Sequence, residues 1–131
     1  MKTITIFILT VLLASSSLTY SKEKPAKIKF REVTHDFGKV EEGTRLSYSY
    51  KFKNTGKGTL IIESVIASCG CTGAALDGKN EYSRNERGEI KVTFNTRGRE
   101  GVQTKTVTVR TNDPTDPQVV LTFTCEVLKK D

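Results

Sequence analysis

The sequence contains no tryptophan, one histidine, three prolines and three cysteines in 131 residues, and each scarcity excludes something. Without tryptophan, the Cys…Trp…Cys signature of antibody domains is impossible. With His35 as the sole histidine, a Cys–His catalytic pair requires His35 beside Cys69 or Cys71, and nothing in the spacing argues for that. Three cysteines are an odd count, so at most one intramolecular pair forms and one thiol is left over. No basic block is interleaved with aromatics, so no nucleic-acid surface is expected. No stretch combines helix caps with a 3.6-residue period. No set of general acid, base and nucleophile stands out, so the chain does not read as an enzyme.

A long apolar run is also missing. Ile4–Leu13 (ITIFILTVLL) reaches only about half of the ~20 residues that cross a bilayer. It follows the charged start Met1-Lys2-Thr3 and precedes the small, polar Ala14–Ser21 (ASSSLTYS), the order of a secretory signal peptide. This predicts a signal over residues 1–21, cut after Ser21 or nearer Ser16. The mature chain, 22–131, is then exported to the periplasm or medium and is not an integral membrane protein. No cysteine follows the run, so no lipid anchor is expected. The formal net charge of +6 loses only Lys2 with the signal. Acidic and basic residues alternate, which favours solubility and weak attraction to anionic envelope polymers; a monomer is expected.

What the sequence does have is alternation. In Arg45–Asn54 (RLSYSYKFKN), Leu46, Tyr48, Tyr50 and Phe52 fall on one face and Ser47, Ser49, Lys51 and Lys53 on the other, the pattern of a half-buried antiparallel strand. Glu89–Asn95, Lys105–Thr111 and Val119–Val127 repeat it, and Ile28 and Phe30 open a shorter strand. Thr59–Cys71 (TLIIESVIASCGC) switches parity between Ile62 and Val65, and a one-residue bulge near Glu63-Ser64 restores both halves to the core face. Asn54–Gly58 reads as a tight hairpin connection and Thr96–Gly101 as a longer one. Asn112–Pro117 cannot continue a ladder because its prolines lack N–H donors. The sum predicts an all-β, immunoglobulin-like antiparallel β-sandwich of about seven strands.

From His35-Asp36-Phe37-Gly38 onward the chain resembles a bacterial family, domain of unknown function 1573. The likeness rests on HDFGKVEEG from His35 to Gly43, FKNTG from Phe52 to Gly56, and ASCGCT from Ala67 to Thr72. It covers about residues 30 to 127. The resemblance implies an exported sandwich domain with Asp36, Phe37, Gly38, Asn54, Gly56 and Gly70 as structural motif positions, similar to centrosome-associated domains and major sperm protein. It implies no known activity. Such sequences usually carry Pro-Gly-Glu where this one has Arg84-Asn85-Glu86; Asn85 in place of glycine can still adopt positive φ at a small cost, in a turn without the proline's rigidity.

Ser68-Cys69-Gly70-Cys71-Thr72 is the sharpest candidate site. Residues two apart on a strand lie about 6.6 Å apart, whereas a disulfide needs Cβ atoms about 3.8 Å apart. A Cys69–Cys71 bond therefore requires the chain to leave the strand at Gly70, and its small ring would be readily reduced. Two thiolates at this spacing also suit Cu(I), with Cys125 and His35 as lesser ligand candidates. Zinc wants four ligands, which only these three cysteines and His35 could supply. In the third reading Cys69 packs as a small apolar group and Cys71 lies in the loop. Cys125 falls on the inward parity, and a buried, inert thiol is expected. The leading functional expectation is a non-enzymatic module binding a protein or envelope component. The alternative is a thiol redox or copper-binding accessory acting through Cys69 and Cys71.

Overall fold

Side chains two apart on an extended chain share a face, and the alternating segments form strands with their apolar parity turned inward. The computed structural model describes residues 22–131 together with Ser17 and Thr19; the expected signal segment otherwise lies outside the described residues. Among the described residues nine strands form: β1 (Ile28–Phe30), β2 (Thr34–Glu41), β3 (Arg45–Asn54), β4 (Leu60–Ala67), β5 (Thr72–Leu76), β6 (Glu81–Tyr82), β7 (Arg87–Asn95), β8 (Gly101–Thr111) and β9 (Gln118–Leu128). They make two facing sheets, ordered β1-β3-β7-β5 and β2-β9-β8-β4-β6. Neighbours are antiparallel except β2 and β9, which run parallel. This is the all-β, immunoglobulin-like sandwich. It has nine strands rather than about seven because β5, which lacks polar alternation, and the two-residue β6 leave no periodic trace.

The core lies between the layers. Tyr50, Phe52, Ile90, Val92 and Phe94 from one sheet meet Leu60, Ile62, Val107, Val109, Leu121, Phe123, Cys125 and Val127 from the other, all buried. Each large apolar side chain contributes roughly 1.5–3 kcal/mol by leaving water. The parity switch in β4 is met by a bulge. Ile62 stands opposite Thr111 and Ser64 opposite Arg110, leaving Glu63 without a partner. Leu60 and Ile62 are thereby buried, and Val65 and Ala67 still pack on the core.

Two connections depart from expectation. Asn54–Gly58 and Thr96–Gly101 read as hairpin turns, yet β3 and β4 lie in different sheets, as do β7 and β8. Both segments carry the chain across the sandwich. Turn residues specify a reversal, but not which sheet receives the next strand. Asn112–Pro117 does close a hairpin, between β8 and β9.

The first of these bridges is locked by Asn54. Its buried amide nitrogen donates to the Gly58 and Tyr82 carbonyl oxygens at 2.8 and 2.9 Å, and its Oδ1 accepts from the Gly56 and Lys27 N–H groups. Gly56 is needed for closeness: a Cβ there would lie 2.4 Å from the Lys27 nitrogen and 2.5 Å from the Pro25 oxygen. Asp113 performs a similar service at the far end of the chain. Its buried carboxylate accepts from the N–H groups of Ile28 and Thr115 and so ties β1 to the β8–β9 turn. Asn85 takes φ 64° in the turn before β7, doing what a glycine would do there. Asp36 Oδ1 accepts from the Gly38 N–H at 2.8 Å, bending β2 where its register against β9 slips between Asp36 and Lys39.

Candidate functional site

The chain leaves β4 at Ala67 and re-enters the other sheet at Thr72, so Ser68–Cys71 is the corner between layers. Ser68 anchors it on the β8 side: its N–H donates to the Thr106 carbonyl oxygen, and its Oγ accepts from the Thr106 N–H. On the β7 side the Asn95 N–H donates to the Cys71 carbonyl oxygen. Within this corner Cys69 and Cys71 are joined by a disulfide, with their Cα atoms 5.4 Å apart, closer than extended backbone allows. Gly70 sits in open space, where a Cβ would meet nothing within 4 Å, and it is not among the positive-φ residues. The corner therefore turns without calling on the conformational freedom expected of Gly70. The Thr72 hydroxyl lies 3.4 Å from Cys69 Sγ and 3.9 Å from Cys71 Sγ.

A groove of about 340 Å³ opens beside the disulfide, lined by Cys71, Gly70, Gly73 and three arginines, Arg45, Arg97 and Arg99. The arginines come from the start of β3 and from the bridge between β7 and β8. Among the described residues the one salt bridge is between Lys79 and Glu86, so none of the three has a carboxylate partner. Arg97 and Arg99 group with Arg45, while the Lys105 ammonium lies over the Phe94 ring at 5.9 Å. No signal along the chain links Arg45 to residues more than fifty positions later.

The other candidates lie elsewhere. Cys125 is a free thiol buried in the core, and burial, helped by the Asp36 charge, pushes its pKa up. His35 stacks on Tyr48, with ring centroids 3.6 Å apart, and meets the edge of Phe37. Phe37 in turn contacts Phe123, so His35 belongs to an aromatic seam along β2. Among the described residues no three His, Cys, Asp or Glu side chains converge on a possible metal position; Cys125 and His35 are not gathered around Cys69 and Cys71. In the disulfide neither sulfur is a thiolate, and copper binding there would first require a two-electron reduction.

β5 completes the site. Among the described residues it pairs with β7 on one side only. Because the Asn95 N–H bonds the Cys71 carbonyl, the antiparallel alternation turns the backbone groups of Gly73 and Ala75 toward β7 and those of Ala74 and Leu76 outward.

This sandwich, with its cysteine-bearing corner, matches a family model over residues 28–127, described as protein of unknown function DUF1573. The chain belongs to the DUF1573 family. No curated protein matches it in sequence. Among solved structures, a protein of unknown function from Porphyromonas gingivalis W83 is similar with TM-score 0.67 and 17% identity, covering 86% of this chain and 51% of that one. This DUF1573 chain thus spans about half of that protein's length. The PapD-like domain 7 of human CEP192 gives TM-score 0.63 at 11% identity, over 91% of this chain and 99% of that one. The Vibrio cholerae VesB protease gives 0.59 at 12%, over 79% and 31%. At these identities the likeness is one of fold alone. Among the described residues no helix is long and apolar enough to cross a membrane.

Proposed function

We propose that this DUF1573 protein is an exported, non-enzymatic, monomeric module that binds a protein partner by accepting an added strand at β5. The observation that carries the reading is the contrast among the four sheet edges. β1 and β6 have only three and two residues. β2 is bulged at Phe37-Gly38 and carries Lys39 and Glu41. These are the usual protections of an edge. β5, with the sequence TGAAL, has five residues, no charge, no proline and no bulge. An unprotected edge with outward-facing Ala74 and Leu76 backbone groups suits an extended peptide. The lining of the neighbouring groove contains no Asp, Glu or His to act as general base, which supports a binding role over a catalytic one. The charged, apolar, then small-polar order of Met1–Ser21 supports export.

A photo-crosslinking residue at Ala75, in cells producing the full chain, tests this. One discrete adduct is expected, lost when Ala74→Pro removes an outward N–H and absent when the crosslinker replaces Thr104 in central strand β8. Adducts of equal yield at both positions, or indifferent to Ala74→Pro in a folded variant, would overturn the reading.

A further inference from the structure

We infer that the Cys69–Cys71 disulfide is an exchange site for small anionic thiols, which dock on Arg45, Arg97 and Arg99 and attack Cys71. This is independent of strand addition at β5. Three observations converge on it. The disulfide encloses a single residue, both cysteines are half-buried rather than buried, and Gly70 between them is exposed. Exposed disulfides belong to the labile class, whereas structural ones resist reduction. The groove beside it is small, and three arginines without carboxylate partners line it among the described residues. Such a setting concentrates anions and favours thiolate over thiol. Finally, the two sulfurs are not equivalent. Cys71 lines the groove and Cys69 does not, while the Thr72 hydroxyl lies nearer to Cys69 Sγ, at 3.4 Å.

These facts give the exchange a direction. A thiolate held by its carboxylate, sulfonate or phosphate against the arginines forms a bond to Cys71 Sγ. The bond between the two protein sulfurs breaks, and its electron pair leaves on Cys69 Sγ. The Thr72 hydroxyl then donates to the new Cys69 thiolate. A second thiolate attacks the substrate sulfur of the mixed disulfide and releases Cys71 as a thiolate. Two substrate thiolates have become one disulfide, and the protein has taken up two electrons. Each protein thiolate is protonated from water according to its pKa. The guanidinium groups act at the docking stage and Thr72 at the leaving stage, so the two contributions are separable by experiment.

Reduction rates of the intact protein measured with 2-mercaptoethanesulfonate and with cysteamine, an anionic and a cationic thiol, provide the test. The same disulfide in the free peptide Ser68–Thr72 is the reference, which cancels the intrinsic difference between the two reagents. The rate ratio of anionic to cationic thiol is expected to be about tenfold higher in the protein. Raising the salt to 1 M should erase that excess, because charges then act over only about 3 Å. Arg97→Gln with Arg99→Gln should lower the ratio toward that of the peptide, whereas Thr72→Val should slow both reagents alike. Acid-quenched adducts should carry the reagent on Cys71. A ratio equal to the peptide's, a ratio unmoved by the arginine substitutions, or adducts on Cys69 would each overturn the inference.

Discussion

Tyr50 is fully buried and its hydroxyl donates to the Thr122 carbonyl oxygen at 2.7 Å. Burial, helped by the charge of Glu32, raises its pKa from 10.0 to about 12. The consequence for stability has a definite sign. Below pH 10 both folded and unfolded chains keep the proton. From pH 10 to 12 the unfolded chain gives it up and the folded one does not, so stability is lost as pH rises through that window, by about 1 kcal/mol at pH 11. Tyr50→Phe should cost about 1 kcal/mol at pH 8, through the lost hydrogen bond. It should also shallow the fall between pH 8 and 11 in urea unfolding, leaving the shares of Tyr82 and Cys125, whose burial raises their pKa values too. An unchanged alkaline slope would contradict the assignment. The glycines make a second comparison. Gly56→Ala forces a Cβ onto the backbone of residues 25–27 and should destabilise by about 1–3 kcal/mol. Gly70→Ala enters open space at an ordinary φ and should leave stability unchanged or raise it by up to about 1 kcal/mol. Thiol titration should find no reactive cysteine in the folded oxidised protein and one, Cys125, after unfolding without reductant. Three after unfolding would rule out the Cys69–Cys71 bond.

At the scale of strands, the bulge in β4 makes a sharp claim. Deleting Glu63 removes the residue that reconciles two parities, so either Leu60 and Ile62 or Val65 and Ala67 must turn to water. Denaturant unfolding should show a loss of more than about 3 kcal/mol, whereas Glu63→Ala should stay within about 0.5 kcal/mol. That bulge was legible in the sequence because Leu60, Ile62, Val65 and Ala67 must all face one layer. The faces of β3, β7, β8 and β9 were legible for the same reason. β5 was not, since Gly73, Ala74 and Ala75 show no polar contrast for a period-two pattern to reveal. The bridges at Asn54–Gly58 and Thr96–Gly101 carry the same residues a hairpin would, and the choice of sheet is made by distant packing. The need for glycine at residue 56 was read as turn chemistry, yet it comes from Pro25 and Lys27, about thirty positions away. The candidate site was half legible. SCGCT announces itself, but Arg45 joins Arg97 and Arg99 only because β3 and β7 pair side by side, with Arg45 opposite Asn95.

For the whole molecule, the proposed roles imply a division of labour. The two layers form a scaffold that stands without the disulfide, and the corner at Ser68–Thr72, with β5 and the arginine groove, is the working end. A covalent bond enclosing one residue removes little freedom from the unfolded chain, roughly 1–2 kcal/mol by the loop-entropy model, so Cys69–Cys71 makes a poor staple. Hydrogen exchange on residues 22–131, oxidised and then reduced by a phosphine, measures this directly. Reduction should speed exchange around residues 68–76 and leave the protection of β3, β7, β8 and β9 intact. A global loss of protection on reduction would contradict it, because the disulfide would then be holding the sandwich together.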